Sequence, residues 1–153
     1  SQPMIDRYRK RLEQTRPDFD IELVCDRIEN IRIENASVAV INLTLQFLEP
    51  AKRDRVIQQV FDGLLPGGIL LLTEKTIHSD PDYNELQSGF YKSFKLENGY
   101  SDLEISQKRD ALEKVLIPET IHDHESRLRK AGFSFFDVFL RWFNFASMIA
   151  FKH

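Results

Sequence analysis

A turn that leads into a helix carries the arginine with the clearest chemical potential in the chain, Arg109. Asn98-Gly99 indicates a turn, because both residues tolerate positive φ. Ser101 and Glu104 have the three-residue spacing of a capping box. Ser106 and Arg109, also three apart, share one helix face. Spacing alone favours an exposed, solvated side chain for Arg109, as for most charges on helices.

This helix is predicted to run from Leu103 through Leu116 with one face in the core. Its apolar residues recur at spacings of three and four, the period of a core-facing helix. They are Leu103, Ile105, Ala111, Leu112, Val115 and Leu116.

The common catalytic and metal-binding patterns are absent from the sequence. His122 and His124 are two apart, a spacing that directs them to different sides of a helix, so no metal site is expected. There is no Gly-x-Ser-x-Gly elbow and no Gly-x-x-x-x-Gly-Lys loop. Gly67-Gly68 after Pro66 favours a turn rather than a phosphate cradle. No catalytic residue can be named from these patterns.

Length and composition are those of a single soluble domain. The 153 residues carry a net charge of −3, so no basic field is present to attract nucleic acid, and no direct nucleic-acid binding is expected. The single cysteine, Cys25, excludes an internal disulfide and is compatible with the reducing cytoplasm. No apolar run approaches about 18 residues, so no membrane span is predicted, and no signal peptide is expected.

Alternating strands and helices over residues 19–72 predict an α/β fold with a parallel sheet. Strands are predicted at 19–25, at 38–41 (buried on both faces) and at 69–72. A helix begins at Pro50, with Arg53, Asp54 and Arg55 expected to face solvent. A tight turn is expected at Leu65-Pro66-Gly67-Gly68.

Ligands in such sheets lie beyond the carboxyl ends of the strands. Three groups of residues occupy those ends, namely Asp26-Arg27-Ile28, Asn42 and Glu74-Lys75. Residues 77–129 are predicted to form a helical insertion, followed by two strands, 135–143 and 145–152. The whole of 1–153 is interpreted as one domain.

Several blocks resemble the carboxy-S-adenosyl-L-methionine synthases, a branch of the class I (Rossmann-like) methyltransferase superfamily. The resemblance extends from Ser1 to Lys152. The Leu-x-Pro-Gly-Gly turn is generic to methyltransferases, whereas the blocks from Asn42 to Pro50 and from Asn98 to Arg109 are specific to this branch. The remaining matching blocks are Gly63–Gly68, Glu74-Lys75 and Phe143-Asn144-Phe145.

The resemblance implies an enzyme that converts S-adenosyl-L-methionine and prephenate into carboxy-S-adenosyl-L-methionine. The product is used by a partner enzyme to modify the wobble uridine of certain tRNAs. A cytoplasmic homodimer is implied.

The resemblance also implies roles for individual residues in cofactor binding. Asn42 matches the asparagine that contacts the cofactor. Arg109 matches the arginine that holds the carboxylate added to the methyl group, a task suited to a planar guanidinium. The resemblance leaves two alternatives open, in which Arg109 acts in its own subunit or in the neighbouring one. Ile28 matches the position whose backbone meets the adenine.

Two departures from the family leave alternatives open. Arg27 stands where the family has an aspartate, so either Asp26 takes that role or the backbone alone holds the adenine, since arginine has no acceptor. The N-terminal strands and the Gly-rich loop of the superfamily have no counterpart in this sequence, which predicts a fragment. The alternatives are a conventional methyltransferase and a non-catalytic remnant of the fold.

Overall fold

The computed structural model describes residues 1–15, 17–113 and 115–153, which divide into two compact units, Ser1–Arg32 and Ile33–His153. The first unit contains helix α1 (Gln2–Thr15) and a short 3-10 helix at Ile28–Asn30. Among the described helices, none combines the length and the apolar character needed to span a bilayer.

The predicted strand over residues 19–25 is wrong. No strand is formed there, and Phe19, Ile21 and Val24 are exposed. Alternating apolar side chains favour an extended segment, but a strand also requires a hydrogen-bonded neighbour, and the segment belongs to no sheet among the described residues. Asp26, Arg27 and Ile28 therefore do not follow a strand.

Among its described residues, the second unit contains a four-stranded sheet in the order β1-β2-β4-β3, four α-helices and a short 3-10 helix at Leu45–Phe47. β1 and β2 are parallel, and β4 is antiparallel to both β2 and β3. The strands are β1 (Ala36–Asn42), β2 (Leu64–Lys75), β3 (Phe135–Trp142) and β4 (Phe145–Phe151). The helices are α2 (Pro50–Gly63), α3 (Pro81–Glu97), α4 (Asp102–Glu113) and α5 (Ile121–Ala131).

The core lies where α2 and α5 pack against each other and against the sheet. Pro50 opens α2, where its missing N–H costs nothing. Helical spacing then buries Val56, Ile57 and Val60. In β2, alternation buries Leu70 and Leu72, so both patterns direct apolar side chains into one layer.

β1 is an edge strand, and the prediction that it is buried on both faces is wrong. Ile41 is buried, whereas Val38 and Val40 are 51% and 66% exposed. An apolar run identifies a strand, but it does not report how many of its faces are covered.

The predicted turn at residues 65–68 lies within β2 as an irregularity. The register changes from Ala36 opposite Leu64 to Val38 opposite Ile69, so β2 contains extra residues there. Gly67 has a φ of 80° and donates from its N–H to the carbonyl of Lys152 over 2.7 Å.

Helix α4 follows the predicted start but not the predicted burial. It ends at Glu113, and its predicted continuation to Leu116 crosses residue 114, outside the described residues. Leu103 is 65% exposed and Val115 is also exposed. A core-facing stripe was expected, but the main packing partner of α4 among the described residues is α3.

Candidate functional site

Asn42 lies where the sequence predicts it, at the carboxyl end of β1. Its side chain is exposed, and it pairs in register with Thr73 of β2. The next residue, Leu43, has a φ of 51° and donates its N–H to the Thr73 carbonyl over 2.7 Å. A positive φ is unfavourable for a branched apolar residue, so the chain holds a strained turn directly after Asn42.

Glu74 holds this turn in place. Its carboxylate is fully buried and accepts three backbone N–H bonds: Oε1 from Thr44 and Leu45 over 3.0 and 2.8 Å, and Oε2 from Gln46 over 3.1 Å. These N–H groups lie at the start of a 3-10 helix, Leu45–Phe47, where they lack helical acceptors. Burial raises the pKa of Glu74, although these hydrogen bonds and Arg53 oppose the change.

Gln46 adds a second attachment between the turn and its surroundings. Its Oε1 accepts from the N–H of Lys75 over 2.9 Å, and its carbonyl accepts from Ile117 over 2.8 Å. Glu74 and Gln46 together fix the turn to β2 and to the segment before α5. The position of Asn42 is consequently set by buried hydrogen bonds and does not depend on a flexible loop.

Arg53 is fully buried, and the expectation that it faces solvent is wrong. Nε and Nη2 donate to the carbonyl of Leu48 over 3.0 and 2.7 Å, and Nη2 also reaches the carbonyl of Ile117 over 2.7 Å. Nη1 lies 2.6 Å from Glu119, which also receives two bonds from Arg127. Burial alone would raise the pKa of Glu119, but the two guanidinium groups outweigh it and lower that pKa.

Arg109 lies on α4, in the part of the helix that follows the predicted capping box along the chain. Glu104 donates its N–H to Ser101 Oγ over 3.3 Å, and Glu104 Oε2 accepts from the N–H of Ser101 over 2.8 Å. The Arg109 side chain is 67% exposed, and its Nε lies 3.5 Å from Asp110 Oδ1. The role of Arg109 in holding a carboxylate stays a prediction.

Asp26, Arg27 and Ile28 are neighbours in the first unit, whereas Asn42 and Arg109 belong to the second. Asp26 Oδ1 accepts from the N–H of Arg27 over 2.7 Å and from Asn30 Nδ2 over 2.9 Å, and these two bonds lower its pKa. The Arg27 guanidinium contacts Glu29 over 2.9 Å. Asp26 thus links the backbone of Arg27 to the side chain of Asn30 across the short 3-10 helix, and the adenine contacts of these residues stay a prediction.

An aromatic cluster lies at the same end of the sheet as Asn42, and sequence reasoning did not identify it as a site. Tyr91 of α3 lies 5.6 Å from Phe143 and 5.4 Å from Phe145 between ring centroids, and Phe94 lies 5.3 Å from Phe143. Phe145 is opposite Lys75 at the carboxyl end of β2. Tyr91 and Phe94, three residues apart on one helix, were a visible signal in the sequence. Their partners Phe143 and Phe145 lie about 50 residues further along the chain, and only the fold brings the two pairs together.

The two histidines of α5 face different environments. His122 is exposed, whereas His124 is buried and neither of its ring nitrogens has a hydrogen-bond partner among the described residues. In the described part of the chain, no group of three or more His, Cys, Asp or Glu side chains could hold a metal ion.

Comparison with known proteins gives strong sequence similarity to one kind of enzyme. The chain is 57% identical over 152 residues to the carboxy-S-adenosyl-L-methionine synthase of Desulforapulum autotrophicum, covering 99% of the chain and 62% of that protein. It is 52% identical to the synthase of Aeromonas hydrophila, covering 99% of the chain and 61% of that protein. The chain therefore spans about three fifths of the length of these relatives. No protein-family profile matches it.

The fold also has solved counterparts. The apo structure of the S-adenosylmethionine-dependent methyltransferase SibL matches with a TM-score of 0.64 at 13% identity, covering 94% of this chain and 39% of SibL. At that identity the likeness shows the fold alone, and it confirms the predicted Rossmann-like α/β class. Over almost its entire length, this chain is thus homologous to a segment of the carboxy-S-adenosyl-L-methionine synthases and has the class I methyltransferase fold.

Proposed function

We propose that this chain is part of an enzyme that makes carboxy-S-adenosyl-L-methionine from S-adenosyl-L-methionine and prephenate. The observation that carries the proposal is the 57% identity to a synthase of that name over nearly all of the chain. Prephenate loses one carboxyl group and its ring hydroxyl to become phenylpyruvate. The carboxyl group replaces one hydrogen of the methyl group of S-adenosyl-L-methionine. The proton displaced from the methyl group and the hydroxyl lost from the prephenate ring leave together as water.

The turn after β1 supports binding of the sulfonium substrate. The exposed amide of Asn42 has donors and acceptors for both charged groups of an amino-acid moiety. Because Glu74 fixes the strained turn, Asn42 is already oriented before a ligand binds, which lowers the cost of ordering it. In this proposal, the backbone around Ile28, with Asp26 or Arg27, meets the adenine.

We assign Arg109 to the carboxylate that distinguishes the product from S-adenosyl-L-methionine. A guanidinium can donate two parallel hydrogen bonds to a carboxylate, and the exposure of Arg109 leaves it accessible to a ligand or a second subunit. A homodimer is part of this proposal, because α3 and α4 expose Leu86, Phe90 and Leu103, with exposures of 52%, 52% and 65%. In such a homodimer, Arg109 acts either in its own site or in that of its partner.

The cellular role follows from the product's chemistry. A carboxymethyl donor serves a further transferase, which we propose modifies the wobble uridine of tRNA to 5-oxyacetyluridine in the cytoplasm. The net charge of −3 supports a role upstream of the tRNA without direct binding to nucleic acid.

Calorimetry on the full-length protein tests the proposal with S-adenosyl-L-methionine and its carboxy derivative. We expect tighter binding of the carboxy derivative, and Arg109→Leu should remove this preference at a cost of about 1.5–3 kcal/mol, the value of a charged hydrogen bond. Arg55→Leu, which removes an exposed arginine on α2, is the control and should retain the preference. Equal affinities would indicate a conventional methyltransferase, and no binding would indicate a non-catalytic remnant. Full activity in diluted monomers would refute the shared site.

A further inference from the structure

Lys95 of α3 occupies an unusual position for a lysine. Its Nζ lies 4.1 Å from the centre of the Tyr91 ring, one helical turn earlier, and the side chain is only partly exposed. No carboxylate among the described residues lies within ion-pair distance of it. Surface lysines commonly extend into water or pair with an acid, so this ammonium is held against an aromatic face without a neutralising anion.

Two other lysines influence the charge of Lys95. Burial, followed by the charges of Lys108 on α4 and Lys75 at the end of β2, lowers the pKa of Lys95. For Lys95, which lies beside no carboxylate among the described residues, neighbouring charges of the same sign are unfavourable. A negatively charged ligand beside its ammonium would offset this cost.

The aromatic cluster lies at the carboxyl edge of the sheet, where ligands of such sheets bind. Tyr91 packs on Phe143 and Phe145 in the β3–β4 hairpin, and Phe145 lies opposite Lys75. Lys75 is two residues beyond Thr73, the partner of Asn42. The aromatic cluster and the proposed cofactor turn therefore share the carboxyl edge of the sheet.

We propose that Lys95 and Tyr91 form the subsite for the carboxyl donor, with the Lys95 ammonium binding one of its carboxylates and the aromatic cluster contacting its unsaturated ring. This inference rests on the proposed function, which supplies a substrate that is both a dianion and a ring. A lysine ammonium beside aromatic rings suits a ligand that has both a carboxylate and a ring, because the ammonium binds the carboxylate and the faces of the aromatic side chains exclude water.

Trp142, the single tryptophan of the chain, gives a binding assay that needs no turnover. Its ring lies 5.8 Å from Phe94 and 5.3 Å from Phe143, so a ligand in the cluster should alter its fluorescence. Titration of the full-length protein with prephenate is expected to give a saturable change that Trp142→Phe removes. Lys95→Met should weaken prephenate binding by roughly ten-fold or more, as expected for a lost charged hydrogen bond, and Lys95→Arg should recover part of the affinity.

Lys92→Met is the matched control. Lys92 lies three residues earlier on α3 and pairs with Asp102 at 2.7 Å, so its loss should leave prephenate affinity unchanged. Thermal melting and calorimetry with S-adenosyl-L-methionine should give wild-type values for Lys95→Met. If Lys95→Gln, made as a second variant, and Lys95→Met both bind prephenate as the wild type does, the subsite is refuted.

The two proposals fail in different ways. If Lys95→Met forms carboxy-S-adenosyl-L-methionine with the wild-type KM for prephenate, the subsite is overturned and the proposed function stands. Saturable prephenate binding that depends on Lys95, in a protein that forms no carboxylated product, would overturn the function and support the subsite.

Discussion

The buried histidine of α5 gives the protein an acid sensitivity that can be calculated. His124 is 2% exposed, its ring nitrogens have no hydrogen-bond partner among the described residues, and burial lowers its pKa from 6.5 to about 4. Glu119 and Asp123 favour the charged form, whereas Arg127 and Arg53 oppose it. The folded protein therefore keeps this imidazole neutral at a pH where the unfolded chain protonates it.

Proton linkage gives the direction and the size of the change in folding free energy with pH. Between pH 6.5 and 4 the unfolded state binds the extra proton, so the stability contributed by neutral His124 is complete above about pH 6.5 and is lost as the pH falls to about 4. One pKa unit corresponds to about 1.4 kcal/mol, so the full loss is about 3 kcal/mol and the loss at pH 5 is about 2 kcal/mol.

Urea denaturation at pH 7.5 and pH 5 measures this loss. The His124→Leu variant has no imidazole to protonate at this position, so its free energy of unfolding should fall by about 2 kcal/mol less than that of the wild type between the two pH values. His122→Leu removes an exposed imidazole two residues away and should retain the wild-type pH dependence. The reasoning is refuted if wild type and His124→Leu lose the same free energy on acidification.

Two further predictions concern the turn after β1 and the end of α5. Glu74→Gln replaces one acceptor oxygen by an N–H donor that faces backbone N–H groups. This variant should lower the free energy of unfolding by about 2–3 kcal/mol. The control is Glu97→Gln on the exposed surface of α3, and equal denaturation midpoints for the two variants would contradict the prediction. Gly132→Ala should destabilise by more than about 1 kcal/mol, because φ is 111° and the new Cβ would lie 2.7 Å from Phe61. Gly89→Ala, in open space within α3, should stabilise by about 0.5–1 kcal/mol, and thermal melting that ranks the two alanine variants in the opposite order would show the argument wrong.

Local features were predictable from sequence because their causes are local. The capping box of Ser101 and Glu104 and the left-handed glycine at the end of α5 depend on residues within one turn. The β3–β4 hairpin likewise follows from two apolar runs separated by a short turn. The helix that begins at Pro50 and the two C-terminal strands lie close to their predicted positions for this reason.

The site could be predicted only in part, because its supports are distant in sequence. Asn42 was located from the end of an apolar run, but Glu74, which holds the turn after it, is about 30 residues away. A carboxylate at the end of an apolar strand was the visible signal. Arg53 was expected to be exposed because arginines usually are, and its burial depends on carbonyls and on Glu119, which only the fold brings together.

The edge position of β1 has a consequence for handling the protein in solution. Among the described residues the strand is paired only with β2, so one row of its backbone N–H and C=O groups is left without a strand partner beside the exposed Val38 and Val40. An apolar strand edge of this kind is a template for a further strand from another molecule. Concentrated samples of this 153-residue segment by itself should therefore self-associate through this edge, and Val40→Lys should keep them dispersed.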